Sequence, residues 1–260
     1  MRQHKRLHEI TINAWPPLQQ IYYDGWILGF SQGYTKRANS IHAAFPSTFE
    51  VNTKIDRCEE IYRERKLRPI FRITPFDSPP DLDRYLRERG YERVDPTTLL
   101  YLEIKDFKFP YDPVASIAVE NLSDWLDAFC KLTRIPKSHK ARSLHQKILQ
   151  SVAGKLCPAT FSGYEELLSC AMGTLEEHFF GISDFIVNAD HQLSIAGHRF
   201  LVALLTWAKH QGATKAYTLV PEDDLDALSF FQSQGFVPAY TFWYRMPGVP
   251  TMPDIEELED

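Results

Sequence analysis

The stretch ISDFIVNADHQLSIAGHRFLVALLTWAKHQGATKAYTLVPEDDLDALSFFQSQGFVPAYTFWYR (Ile182–Arg245) decides how this chain folds. Ile182–Val187 reads as a strand, and a turn separates it from a helix. That helix carries Phe200, Leu201, Leu204, Leu205 and Ala208 on one stripe. Gly212 follows as a left-handed cap, and His210 in the last turn suits the helix dipole without a metal or catalytic role. Ala216–Val220 reads as a second strand, a short helix ends at Gly235-Phe236, and the aromatic run after it closes as a third strand. Strands alternating with helices predict an α/β protein built on a mixed sheet.

Upstream, Asp24–Ser40 (DGWILGFSQGYTKRANS) reads as two strands joined through a turn at Gln32-Gly33. Lys54–Arg65 reads as a helix with Ile55, Cys58, Ile61 and Tyr62 on one face, and Ile70–Thr74 as a strand. A short helix over Leu82–Arg89, ended by Gly90, leads into a strand over Glu92–Glu103. Residues 105–116 hold two prolines and no period, which predicts a linker. Helices are expected over Leu122–Lys131 and Ser143–Val152, and strands over Cys157–Phe161 and Leu167–Gly173.

IFRITP (Ile70–Pro75) and AYTLVP (Ala216–Pro221) match in pattern, as do DRYLRERGYERVDPT (Asp83–Thr97) and LSFFQSQGFVPAYTF (Leu228–Phe242). The nearly constant offset favours two related α/β units. The boundaries expected are a first unit over 1–104, the linker over 105–116, a second unit over 117–250 and an acidic tail over 251–260.

The formal net charge of −5 gives no support for general nucleic-acid binding. Residues 1–110 carry 18 Lys+Arg against 15 Asp+Glu, and five acids crowd Asp254–Asp260, most simply a solvated end. Four dispersed cysteines and nine histidines without ligand spacing predict neither a disulfide framework nor a zinc site, and fit a cytoplasmic protein. No apolar run reaches the roughly 18 residues that span a bilayer, and the start lacks a signal-peptide core.

The order and spacing of Ile182–Arg245 resemble the coenzyme A half of the GNAT N-acetyltransferase superfamily. Asp24, Gly25, Trp26, Gly33, Tyr34, Thr35, Arg37, Ala38, Asn39 and Ser40 resemble the leader of one two-unit subgroup, so the likeness covers nearly the whole chain. It implies tandem GNAT-like units, the first without a cofactor loop and the second a full acyl-CoA N-acyltransferase fold. It also implies acetyl-CoA as co-substrate, no metal, and direct attack by a primary amine through a tetrahedral intermediate held by backbone N–H groups near Val187. A homodimer is a further expectation.

In such a site Ile186 and Val187 would face the thioester. The pyrophosphate loop would be Gln192, Leu193, Ser194, Ile195, Ala196 and Gly197, with helix N–H groups as phosphate donors. The family keeps glycine where Ile195 stands, and His198 and Arg199 are the residues that could compensate. The family's leaving-group acid, a tyrosine, falls on Phe231, and its asparagine partner on Asp224. Asp184 and Glu222 are the candidate bases; Tyr217, Tyr240 and Tyr244 are other donors. Arg37 and Asn39, read on one face of a strand, would either line an acceptor pocket or pin a hairpin. Ile195 and Phe231 also motivate a rival reading, a catalytically impaired scaffold serving as a binding or regulatory module. A third is an oligomerising domain using the aromatics of Thr241–Val249.

Overall fold

The computed structural model describes residues 2–105, 117–134, 138–163, 166–191 and 193–248. Residues 106–116 of the linker expected over 105–116, Gln192 and the acidic tail lie outside the described residues, as does the side chain of Ser194.

The chain opens with a helix absent from the sequence reading, α1 (Arg2–Asn13). Its apolar positions are few, but Leu7 and Ile10 are both buried against the sheet. A hairpin follows, β1 (Gln19–Tyr23) and β2 (Trp26–Phe30), turning at Asp24-Gly25. Then come β3 (Ile41–His42), α2 (Val51–Glu64), β4 (Phe71–Ile73), α3 (Leu82–Glu88) and β5 (Tyr91–Glu103). The second half contains β6 (Ala118–Val119), α4 (Leu122–Thr133), α5 (His139–Gln150), β7 (Lys155–Gly163), β8 (Glu166–Glu176) and β9 (Phe179–Val187). A π-helical turn (Leu193–Gly197) leads into α6 (His198–His210), β10 (Lys215–Pro221), α7 (Leu225–Ser233) and β11 (Val237–Pro247).

The strands form one sheet in the order β1-β2-β3-β4-β11-β5-β10-β9-β8-β7-β6. The two β-α-β pieces that resemble one another in sequence are interleaved within it. β11 lies between β4 and β5, and β5 between β11 and β10, each pair antiparallel. Each piece thus gives its last strand to the other, so the halves share one backbone ladder. This placement overturns the reading of the Thr241–Val249 aromatics as an exposed interface, because Phe242 and Tyr244 are buried mid-sheet.

Alternation along β10 sorts the two faces. Ala216 and Val220 join the core under α6 and α7, whereas Tyr217 and Leu219 join the cluster that holds Leu7 and Ile10 of α1. On the α1 side, α4 and α5 bring Trp125, Leu126, Ile148 and Leu149 against Cys170 and Met172 of β8.

The GYTKRANS segment is a loop rather than the expected strand. Asn39 causes the difference. Its Oδ1 accepts from the N–H groups of Ser31 (2.7 Å) and Gly33 (2.9 Å), and its Nδ2 donates to the Thr35 carbonyl (2.7 Å). A buried amide that satisfies three backbone groups locally outcompetes a ladder. Arg37 and Asn39 therefore do not share a strand face: Asn39 turns into the loop it holds, and Arg37 turns away from it. Replacing Asn39 with Ala leaves those groups without a partner inside the protein, so Asn39→Ala is expected to lower stability by about 2–4 kcal/mol. Chemical denaturation reads this directly, and a loss under 1 kcal/mol would mean the loop is held by other means.

Candidate active site

β9 and β10 are parallel neighbours for only four residue pairs, Phe179↔Lys215 to Ile182↔Thr218. Beyond them the strands part. β10 stays with β5 as far as Pro221, while β9 stays with β8 as far as Val187. The β9 edge from Ser183 onward consequently has no ladder partner on the β10 side. A bulge enforces the parting. Cys170 pairs with Ile186 and Met172 with Ser183, so Asp184 and Phe185 together oppose Ala171. Asp184 takes φ +49°, a conformation unfavourable for a residue with a side chain.

A cavity of about 250 Å³ fills the gap and crosses the sheet. On the α7 side it is walled by Phe185, Asp224, Ala227 and Phe231, and on the α1 side by Thr11, Ala14, Arg37 and Tyr217. Tyr217 reaches this position because it pairs with Gly181. A Cβ at Gly181 would stand 2.5 Å from the Tyr217 ring and hydroxyl. The Tyr217 hydroxyl is buried with no hydrogen-bond partner among the described residues, and burial raises its pKa.

The candidate residues distribute unequally around this cavity. Asp184 lines it, and its Oδ2 lies 3.7 Å from Nε2 of His145 on α5. Nδ1 of His145 meets the Tyr34 hydroxyl at 3.0 Å, and its ring packs edge-on against Trp15. Burial first, then the Asp184 charge, pushes the Tyr34 hydroxyl up to about 12. His145 was missed in the sequence. Its signal was a histidine inside the apolar stripe of Leu144, Ile148 and Leu149. Glu222 lies elsewhere, exposed at the end of β10 with its Oε1 accepting from Thr98 (3.3 Å) and Thr241 (3.1 Å). Tyr240 and Tyr244 belong to the buried cluster under α1 and do not line the cavity.

Ile186 and Val187 are half-buried one step beyond the lining on β9, where Gly181–Phe185 form the wall. Leu193, Ile195, Ala196 and Gly197 form the π-helical turn at the entry to α6. Ile195 is 63% exposed, so its side chain stands in solvent rather than in the core. Gly197 has helical backbone angles and no capping side chain among the described residues, so the turn runs straight into α6 and the N–H groups that lack intrahelical acceptors are those at the start of the turn. His198 is already engaged, its Nδ1 2.6 Å from Oε1 of Gln234, tying α6 to the end of α7. Asp224 caps α7 by accepting from Ala227 N–H at 3.0 Å. Phe231 is 3% exposed, packed edge-on against Phe185, Phe230 and Phe236.

The first half has a corresponding parallel pair, β3 and β4, which also part beyond His42↔Arg72 beside a cavity of about 170 Å³. Its loop before α2, however, already holds an anion of its own. The Asp24 carboxylate accepts from the N–H groups of Thr48 and Phe49, each at 3.0 Å, and from the Thr48 hydroxyl at 2.7 Å. Those donors, Phe49 foremost, hold the Asp24 carboxyl well below the usual carboxylate range. Lys54, buried on α2 and 4.0 Å over the Trp26 ring, bonds the Asp24 carbonyl and Ser47. The aspartate of the DGW motif thus occupies the backbone N–H groups just ahead of α2.

The four cysteines are free thiols, and among the described residues no group of three or more His, Cys, Asp or Glu is arranged to hold a metal. No described helix is long and apolar enough to cross a membrane. Because Tyr217 packs directly on Gly181, Gly181→Ala is expected to cost about 1–3 kcal/mol and drive the ring into the cavity. Thermal or chemical denaturation measures the loss, and an unchanged midpoint would contradict the packing described.

Comparison with known proteins agrees with this geometry. The chain is 27% identical over 256 residues to the uncharacterized N-acetyltransferase YobR of Bacillus subtilis (strain 168), covering 93% of this chain and 98% of that protein. Its fold is similar to a GCN5-related N-acetyltransferase from Kribbella flavida, with a TM-score of 0.70 at 14% identity over 95% of this chain and 96% of the other. It is also similar to a tandem GNAT protein from the clavulanic acid biosynthesis pathway, with a TM-score of 0.56 at 14% identity over 76% and 70% of the two chains. Residues 3–245 match the family described as "Probable histone acetyltransferase Rv0428c C-terminal". The chain belongs to that family and is an N-acetyltransferase of the GNAT kind.

Proposed function

We propose that this protein moves the acetyl group of acetyl-CoA to a primary amine by direct attack, with Asp184 as the base. The observation that carries the reading is the cavity crossing the sheet where β9 and β10 part. Acetyl-CoA supplies the activated acyl group, and the chain's own residues bind, orient and manage protons. The unpaired β9 edge beyond Ile182 suits the amide-bearing pantetheine arm. The uncapped turn Leu193–Gly197 suits the pyrophosphate, with Gln192 and Ser194 proposed to join it. Ile195 leans into solvent, which leaves the backbone of that turn accessible in spite of the side chain.

In the reaction the amine nitrogen bonds to the acetyl carbon and the carbon–sulfur bond breaks. The proton leaving the amine passes to Asp184, and the thiolate departs with its electron pair and is protonated by water. Phe231 has no proton to give. It serves as an apolar wall, packed edge-on against Phe185, on the α7 side of the gap. His145 orients the Asp184 carboxylate from the α1 side, and Tyr34 fixes the His145 ring. The exposed position of Glu222 argues against it as the base. Family membership favours transfer over the rival reading of an impaired binding module.

Calorimetry with acetyl-CoA, followed by an acceptor screen, tests this. Binding below about 1 mM is expected, within the ordinary range of enzyme substrates. Asp184→Asn should lower kcat/KM by about 10²–10⁴, the usual contribution of a positioned base. Glu222→Gln should stay within about threefold. Absence of acetyl-CoA binding, or equal losses in both variants, would overturn the assignment.

A further inference from the structure

We infer that the acceptor is a compact zwitterion, its amine directed at Asp184 and a carboxylate or equivalent anion held by Arg37. This rests on the acetyltransferase reading above and adds the class of acceptor to it.

Arg37 opens into the α1 side of the cavity. Its guanidinium lies 4.7 Å from the centre of the Trp15 ring, a contact that supports the plane of the charge but satisfies none of its five N–H donors. Among the described residues it makes no hydrogen bond or ion pair. Arg37 is half-buried, whereas Arg72, 0% exposed, lies behind it with Nη2 3.4 Å from the hydroxyl of Thr11, which lines the cavity. Nε and Nη1 of Arg72 have no partner among the described residues. The α1 side of the cavity therefore carries one guanidinium on its wall, Arg37, with a second, Arg72, behind Thr11. Among the described residues no carboxylate lies within ion-pair distance of either, and Asp184 on the same wall favours the Arg37 cation only from farther off.

A buried cation without a counter-ion is costly, and a ligand anion removes that cost. A carboxylate can take two parallel N–H bonds from one guanidinium, which also fixes its orientation. The unpartnered Tyr217 hydroxyl faces the same space and can donate to a carboxylate oxygen. Asp184 lines the cavity with the opposite charge, next to the parted strands. A molecule carrying both an ammonium and a carboxylate a short distance apart matches this pair of charges. A plain cationic amine engages Asp184, the charge that otherwise favours the Arg37 cation, and brings no anion for Arg37.

The test uses matched pairs of acceptors with the full-length protein and acetyl-CoA: lysine against cadaverine, phenylalanine against phenethylamine, and tryptophan against tryptamine. At least one amino acid is expected to exceed its decarboxylated partner by about tenfold or more in kcat/KM. Arg37→Gln should raise KM for that amino acid by about ten- to a hundredfold and close the gap, with KM for acetyl-CoA held. Arg37→Lys, which keeps the charge but loses the fork, should fall between. Melting temperature controls for folding of both variants. No preference for a carboxylate in any pair, including no acetylation of any member, overturns the inference, as does a preference that survives Arg37→Gln. Failure to bind acetyl-CoA by calorimetry would instead overturn the transferase reading beneath it.

Discussion

Two parallel strands that part after four residue pairs govern most of what this molecule can do. Once β9 leaves β10 beyond Ile182 and Thr218, peptide groups on one edge lose their ladder partners and a cavity opens through the sheet. The gap cannot close by a simple shift, because β5 and β8 hold the outer edges in antiparallel ladders of their own. The bulge at Asp184-Phe185 inserts an extra residue, sending Phe185 to the α7 core and leaving Asp184 facing His145. Strain at a single backbone position thereby sets both the opening and the place of its carboxylate.

The first half completes the site without duplicating it. The Asp24 carboxylate takes up the N–H groups before α2, beside a strand pair that parts as β9 and β10 do. The first half's loop over 31–40 reaches the second half's cavity. Tyr34 meets His145, Thr35 accepts from Trp15 Nε1 at 3.0 Å, and Arg37 opens into the cavity. The exchanged strands β5 and β11 tie the halves together, since separating them would break three ladders, β4–β11, β11–β5 and β5–β10.

Much of the fold was legible because the helices and long strands carry regular periods. The faces of α2 and α6 follow their apolar spacing, and Gly90 and Gly212 end helices with positive φ as expected. What escaped has specific causes. Helix α1 has few apolar residues, and its buried face is completed by His8 and Thr11, which read as polar. The loop over 31–40 looked like a strand because its Asn39 bonds are a matter of side-chain geometry that alternation does not encode. The bulge at Asp184 has no sequence mark, since aspartate at positive φ carries no glycine to announce it. Asp184, singled out from its place in the strand, does line the cavity, while placing His145 beside it required knowing which helix lies over β9. The interleaving of β5 and β11 was invisible for a similar reason. A repeat reveals two like pieces but not which edges they share.

A crystal structure of the protein with coenzyme A tests the central claim most directly. The thiol is expected in the gap between Ser183–Phe185 and Leu219–Pro221, the pyrophosphate at the turn Leu193–Gly197, and nothing at the Asp24-filled loop. Coenzyme A seated beside β3 and β4, or elsewhere with the β9–β10 gap empty, would contradict it.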